Sequence, residues 1–231
     1  MRVVRKGLHL VHTLTISNVW LLMDHSGTWL VDTGHRLERA LLLRALRGVD
    51  RLAGILLTHR HSDHAGNAAF LRDRFRCPVV CHAADAPYLT GTATPPRLAR
   101  GRASFPSEVL CRIEDRWPAR SPVDEVVEAG RWRGDWEVVH APGHTEGSSL
   151  LFHGPTGTLF SGDAILAGPP PLRAIERLRL AIPAFTPDPD TCHAQVRAWI
   201  ATLPPVEALC AGHGPPVTRD VLAKMRRLGG A

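Results

Sequence analysis

Tyrosine is nearly missing from this 231-residue chain, which holds one, and aromatic residues make up only 6% of it. That scarcity leaves no interleaving of aromatic and basic side chains of the kind that stacks bases along a strand, and it argues against a dedicated nucleic-acid surface. The five cysteines, Cys77, Cys81, Cys111, Cys192 and Cys210, are odd in number and lack zinc-ribbon spacing. Free, mostly buried thiols in a reducing compartment are expected, not a disulfide scaffold. No apolar run approaches the roughly 20 residues that span a bilayer. His9, His12 and several polar residues interrupt the stretch behind the first basic residues, so no signal-peptide core is read there. Cytoplasmic residence, with no membrane association, is the resulting expectation.

What is present is ordinary for a globular protein: 44% hydrophobic and 22% charged residues. The length suffices for a sizeable core, arranged as one large domain or two small ones. Net charge is +6 and the pI about 9.6, which is compatible with an anionic substrate or nucleic acid. The cations are nearly all arginine and lie scattered among Ala, Leu, Pro and Gly, a pattern of compositional bias more than of a binding patch.

Along the chain, Val19 to Met23 and Trp29 to Val31 flank Asp24-His25-Ser26-Gly27-Thr28, which reads as a hairpin delivering Asp32-Thr33-Gly34-His35. Leu37 to Arg47 carries an apolar stripe at helical spacing and stops at Gly48. Gly54 to Leu57 reads as a buried strand, Ala65 to Phe75 as a helix, and Val79 to Cys81 as a strand. Residues 90 to 122 break this alternation: rich in Pro, Arg, Gly and Ser, they read as a long excursion with at most one short helix, the kind of segment that acts as a lid or as inert surface. Arg97, Arg100 and Arg102 are its candidates for contacting an anionic substrate. Strands then follow at Val123 to Glu128, Trp136 to His140, Ser149 to Phe152 and Thr158 to Ser161. A helix is expected near Leu172 to Leu180, another over Thr191 to Leu203, a last strand at Val206 to Cys210 and a closing helix over Val217 to Leu228. Strands alternating with helices give an α/β fold, and with no linker in view a single domain over 1 to 231 is expected.

The chemistry concentrates in THRHSDHAG, Thr58 to Gly66. His59, His61, Asp63 and His64 are the imidazole and carboxylate ligands that divalent zinc, manganese and iron accept, and four so close cannot all face a hydrophobic core unpaired. His59 and His61 can face one way while Asp63 and His64, further round the turn, face another, which suits two metals better than one. Three later loops each leave a strand with one more ligand: His144 in Pro142 to Gly147, Asp163 after Ser161-Gly162, and His213 between Gly212 and Gly214. Five imidazoles and two carboxylates suffice for two metals. His35, His140 and His153 read as core or surface residues, and His9, His12, His25, His82 and His193 have no convincing ligand partner in the sequence.

In these motifs, taken together and in order over essentially the whole chain, the sequence resembles the metallo-β-lactamase superfamily. The residues carrying the likeness are Asp32, HRHSDH at 59 to 64, His144, Gly162-Asp163 and Gly212-His213. The resemblance implies an αββα sandwich, two mixed β-sheets face to face with helices outside. It also implies a metal held by His59, His61 and His144, a second held by Asp63, His64 and His213, Asp163 bridging them, and Asp32 supporting a ligand histidine from behind. Two divalent ions are expected, zinc first, with iron and manganese compatible.

A metal-dependent hydrolase follows, in which a hydroxide shared by the two ions is the nucleophile and Asp63 serves as ligand and proton shuttle. Metallo-β-lactamases proper usually lack the acidic residue matched by Asp163, which argues against antibiotic hydrolysis. THxHxDHxG and PGHTxG are shared with glyoxalase II. Gly212-His213-Gly214-Pro215-Pro216 departs from the late pattern of that enzyme and argues against a glutathione thioester. Quorum-quenching lactonases use a tyrosine from the second half of the chain, whereas Tyr88 lies in the first. A small ester, thioester or lactone is the first expectation. Phosphodiester cleavage, as in lactamase-like endoribonucleases, is the second, and a mononuclear-iron persulfide dioxygenase a third.

Overall fold

The computed structural model describes residues 1–11, 14–98, 105–169 and 175–230. One mixed sheet has seven strands lying in sequence order: β1 (Arg2–Arg5), β2 (Leu8–Leu10), β3 (Trp20–Asp24), β4 (Gly27–Val31), β5 (Gly54–Leu56), β6 (Val79–His82) and β7 (Glu125–Val127). Its first four strands are antiparallel neighbours, and β4 to β7 run parallel. The second sheet comprises β8 (Gly130–Trp132), β9 (Trp136–His140), β10 (Ser149–His153), β11 (Thr158–Gly162) and β14 (Ala208–Ala211), ordered β14-β11-β10-β9-β8. A two-stranded ribbon pairs β12 (Ile165–Leu166) with β13 (Arg179–Leu180).

Alternation along the strands sorts side chains to two faces of each sheet. Leu56, Val80, Leu151, Phe160 and Cys210 meet in the core between the sheets, together with Trp20, Trp29 and Trp136. Their chain neighbours Ile55, Val79 and Cys81 face outward to α1 (Arg39–Ala45) and α3 (Ala68–Phe75), which contribute Leu42, Ala68 and Leu71. On the other side Leu150, Leu159 and Leu209 meet Val196, Trp199 and Ile200 of α6 (Pro189–Ala201) and Met225 of α7 (Val221–Gly229). Helix, sheet, sheet and helix are therefore stacked as four layers, and the mixed-sheet sandwich read from the sequence is present. All five cysteines are free and buried. No helix among the described residues is long and apolar enough to cross a membrane.

Several sequence expectations need correction. The helix expected over Ala65 to Phe75 is split into α2 (Ser62–Ala65) and α3. At the break, the Asn67 side-chain amide donates to the carbonyls of Thr33, Gly34 and His35, tying it to the Asp32 loop. Within the stretch from 90 to 122, α5 (Phe105–Arg116) runs for 12 residues, longer than the one short helix expected there, after the short α4 (Ala86–Thr90). No helix occupies the described part of 172 to 180. Instead Arg177 N donates to Ala167 O and Ala181 N to Ala164 O, and β13 lies extended against β12. Strand β8 was not foreseen, and Val217, expected to start the last helix, bridges Leu209 in extended conformation.

Candidate metal centre

Strand β5 is buried throughout between β4 and β6, so the loop that follows it is fixed at one edge of the sandwich. His61, extended at φ −61° and ψ 151°, is the N-cap of α2, and the turn into that helix swings Asp63 and His64 away from His61. From the second sheet, the β9–β10 loop supplies His144, the end of β11 supplies Asp163, and the end of β14 supplies His213. All seven side chains converge. Three overlapping sets, His59 with His61 and His144, His59 with His64 and Asp163, and Asp63 with His64 and His213, each place one potential ligand atom per residue within 4.8 Å of the others. His61 Nδ1 lies 3.0 Å from His144 Nε2. His64 Nε2 is 3.4 Å from both Asp63 Oδ2 and Asp163 Oδ1. His213 Nε2 is 3.4 Å from Asp63 Oδ2 and 3.3 Å from Asp163 Oδ2, and His144 Nε2 is 3.7 Å from Asp163 Oδ2. Asp163 thus touches both halves of the cluster.

Hydrogen bonds behind the imidazoles fix which nitrogen carries the proton. Asp32, held at a left-handed φ of 59°, accepts from Thr58 N at 2.9 Å and from Thr58 Oγ1 at 2.8 Å, and its Oδ2 lies 2.8 Å from His64 Nδ1. A hydroxyl has one proton, so Thr58 Oγ1, donating to Asp32, accepts from His59 Nδ1–H at 3.1 Å. His144 is set in the same way: its Nδ1 lies 3.0 Å from Thr186 Oγ1, which donates to Ile182 O. In each neutral ring the Nε2 lone pair then faces the centre. Asp32 orients one histidine from each half of the cluster. The backbone makes room as well: a Cβ on Gly162 would sit 2.5 Å from Thr58 Oγ1, and one on Gly212 would sit 2.3 Å from Asp163 Oδ1.

Electrostatics divides the site. Burial, reinforced by neighbouring imidazoles, holds His59 and His61 well below the ordinary histidine range, and burial brings His144 down to about 4. These three are neutral at physiological pH, as ligands must be. In the other half, burial opposes charge on His213, but Asp163 and Asp63 outweigh it and push the group up to about 9. Burial likewise opposes charge on His64, and Asp63, Asp163 and Asp32 raise it well above the usual value. Burial works against the Asp63 and Asp163 carboxylates too, yet the two histidines hold both well below the usual range.

The donor set fits divalent metal. Buried His59 Nε2, His64 Nε2 and Asp163 Oδ1 have no hydrogen-bond partner, which is costly unless a cation is the partner, and His61 turns its Nδ1 toward His144 Nε2 at the same point. Nitrogen and oxygen donors at these spacings suit zinc, iron or manganese. The centre is reached from one side, where Asp63 and Asp163 side chains are 25% and 15% exposed while His64 is fully buried.

Two further residues hold the cluster in place, and neither stood out in the sequence. Asp85 accepts from Arg60 N at 2.9 Å, Thr145 Oγ1 at 2.8 Å and Gly147 N at 2.8 Å, clamping the His59–His61 loop to the His144 loop. Glu114 of α5 accepts from Ser62 N at 3.1 Å and from Ser62 Oγ, at the start of α2. Each is a single acidic residue far along the chain from its partners, with no motif around it. Of the arginines proposed to meet substrate, Arg97 is exposed and outside the cluster, and Arg100 and Arg102 lie outside the described residues.

The sequence pattern of the metallo-beta-lactamase superfamily matches residues 12–213. The chain is 30% identical to the probable metallo-hydrolase YflN of Bacillus subtilis (strain 168), over 92% of this chain and 86% of that protein. It is 29% identical to a hydroxyacylglutathione hydrolase of Halorhodospira halophila (strain DSM 244 / SL1), over 84% of this chain and 60% of that enzyme. Among solved structures, TTHA1623 in a di-iron-bound form superposes with a TM-score of 0.64 at 26% identity, covering 92% of this chain and 93% of that one. The metallo-beta-lactamase family protein TTHA1429 from Thermus thermophilus shares the fold, with a TM-score of 0.65 at 23% identity over 99% of this chain and 80% of that one. By its sequence pattern, its sandwich fold and its named hydrolase relatives, this chain is a metal-dependent hydrolase belonging to the metallo-β-lactamase superfamily.

Proposed function

We propose that the enzyme holds two divalent ions, zinc first, and hydrolyses a small ester, thioester or lactone. His59, His61 and His144 would hold one ion and Asp63, His64 and His213 the other, with Asp163 reaching both. The observation that carries this reading is the convergence of seven side chains from separate segments of the chain, with buried donor atoms left unpartnered at their meeting point. When bound, such ions activate water near neutral pH and polarise the acyl oxygen under attack. The protein's own groups do the rest. The three rings of the first set shield one side of the centre from solvent, and the exposed edges of Asp63 and Asp163 leave the other side as the approach for substrate. Asp63, ionised at neutral pH, could take at Oδ1 the proton released by the attacking water and pass it to the leaving group, since its Oδ2 is the oxygen facing His64 and His213.

The acyl class is supported by the Pro142 to Gly147 loop shared with glyoxalase II and by similarity to hydroxyacylglutathione hydrolases. Matching only 60% of one such enzyme is the reason the reading stops at a small acyl substrate and does not extend to glutathione. The test is to load the full chain with zinc or manganese and assay a thioester, a lactone and bis-p-nitrophenyl phosphate. Metal-dependent cleavage of the thioester or lactone is expected. His213→Ala should lower kcat/KM by more than the roughly 10–100-fold typical of residues that only support ligands. Turnover of the phosphodiester alone would assign the enzyme to phosphodiesterases, and dioxygen uptake with a glutathione persulfide to the dioxygenases; either would overturn the acyl reading.

A further inference from the structure

The opposite end of the sandwich gathers a second set of ligand-type side chains, unrelated to the proposed hydrolysis. The β3–β4 turn of one sheet brings Asp24 and His25, and the other sheet brings Asp135 from the β8–β9 turn and His153 from the end of β10. One potential ligand atom each from Asp24, Asp135 and His153 lie within 4.8 Å of one another, and His25 Nε2 is 3.3 Å from Asp135 Oδ2. His153 is fully buried. Its Nδ1 lies 2.8 Å from Thr156 Oγ1, which spends its own proton on Thr158 Oγ1 at 2.9 Å. Thr156 must therefore accept from His153 Nδ1–H, and the unprotonated Nε2 of the neutral ring lies 2.9 Å from Asp24 Oδ2, with its lone pair directed off that oxygen. Both of these atoms are buried and make no hydrogen bond of acceptable geometry. The remaining oxygen of Asp24 is fully engaged, accepting from Ser26 N, Ser26 Oγ and Gly27 N.

A lone pair and two carboxylates this close repel unless positive charge lies among them. An imidazolium could supply it, but burial works against the charged ring and lowers the His153 pKa. We propose that Asp24, Asp135 and His153 form a second, structural divalent-cation site, with His25 available as a fourth ligand. One nitrogen and two carboxylate oxygens, with a second imidazole at the rim, make a zinc-type donor set. Entry is open, because the Asp135 and His25 side chains are 29% and 74% exposed. A cation there would tie the β3–β4 hairpin of one sheet to β8, β9 and β10 of the other, at the end of the sandwich opposite the residues that would hold the catalytic metals. Sequence reading set His25 and His153 aside because their partners are single residues in distant turns.

The test is to saturate the full-length protein with zinc, remove loosely held metal, and count zinc by elemental analysis in wild type, Asp135→Asn and Asp24→Asn. Asn at 24 keeps the oxygen that caps the turn, and position 135 is partly exposed, so both variants should fold. The expected result is one zinc equivalent fewer in each variant than in wild type, with turnover per catalytic centre unchanged. Wild type should also gain a zinc-dependent rise in Tm of roughly 5 °C over the variants at saturation. His59→Ala, which cripples the catalytic centre, should keep this zinc equivalent, so failure of the catalytic reading and failure of this one are separable. Equal zinc content in wild type and both variants, with the same zinc response of Tm, would overturn the proposal and leave His153 and Asp24 as a buried imidazolium–carboxylate pair.

Discussion

Asp32 reaches both halves of the candidate centre through two contacts. One oxygen receives His64 Nδ1–H directly, and Thr58 Oγ1 relays the same carboxylate to His59. Asparagine tolerates the left-handed backbone at this position, so Asp32→Asn should fold. Its amide nitrogen, however, would meet a ring N–H where a carboxylate oxygen stood, and the His64 tautomer would no longer be fixed. Zinc affinity, measured by competition with a chromophoric chelator, should fall roughly 10–100-fold. An unchanged affinity would show that Asp32 serves the loop alone. Asp85 permits a pH prediction at the same scale. Burial, opposed by Arg60, Thr145 and Gly147, pushes its carboxyl up to about 6 from the ordinary 3.8. The folded protein therefore binds this proton more tightly than the unfolded chain. The stability it carries is full below 3.8 and is lost as pH rises through about 6. The unfolding free energy of wild type relative to Asp85→Asn should fall by this amount, of order 3 kcal/mol, between those limits, while groups common to both proteins, Glu114 among them, cancel.

At the scale of elements, α5 contributes Glu114 to the start of α2, the helix that carries Asp63 and His64. Burial pushes the Glu114 carboxyl up to about 7, against the bonds from Ser62. Glu114→Ala removes the acceptor for two Ser62 donors and should cost about 1–2 kcal/mol, as loss of a helix cap does. Glu114→Gln keeps an acceptor and should recover most of that in chemical denaturation. Equal losses in the two variants would mean that the charge, not the hydrogen bond, matters. This helix also shows where sequence reading stops. Its apolar residues Val109, Leu110 and Ile113 are exposed, as is Trp117 just past its end, while Cys111 and Glu114 face inward, so hydrophobic periodicity does not report its packing. The helix expected near Leu172 to Leu180 failed in the opposite way: among its described residues Leu178 leads into β13, where Leu180 pairs with Ile165 of β12. By contrast the strands around the centre were legible, because their buried runs end in adjacent polar ligands. His59, His61, Asp63 and His64 share one loop, and His144, Asp163 and His213 each follow a strand. Asp85, Glu114 and Thr186 were not legible, since each acts on a partner more than 20 positions away and is one acidic or hydroxyl residue among many.

For the whole molecule, the centre lies across the seam between the sheets. Asp32, His59, His61, Asp63 and His64 come from the first half of the chain, and His144, Asp163 and His213 from the second. Metal bound there stabilises only the folded arrangement, and at a free concentration of about 1,000 times Kd it contributes about 4 kcal/mol. A chelator should therefore lower Tm by roughly 10 °C for a chain of this length. The size of that drop should depend on pH. In the metal-free protein, His213, pushed up to about 9 by Asp163 and Asp63, carries a proton that partly replaces the metal's charge. Its folded value lies above the ordinary 6.5, so this stabilisation is present below 6.5 and is lost as pH rises through about 9. Bound metal excludes the proton and is insensitive to that loss. The gap in Tm between metal-loaded and chelated protein should thus be wider at about pH 9.5, above the folded value, than near 6.5, as read by calorimetry on both forms. A gap that stays constant or narrows would mean that the Asp63, His64 and His213 side of the cluster does not exchange protons for metal.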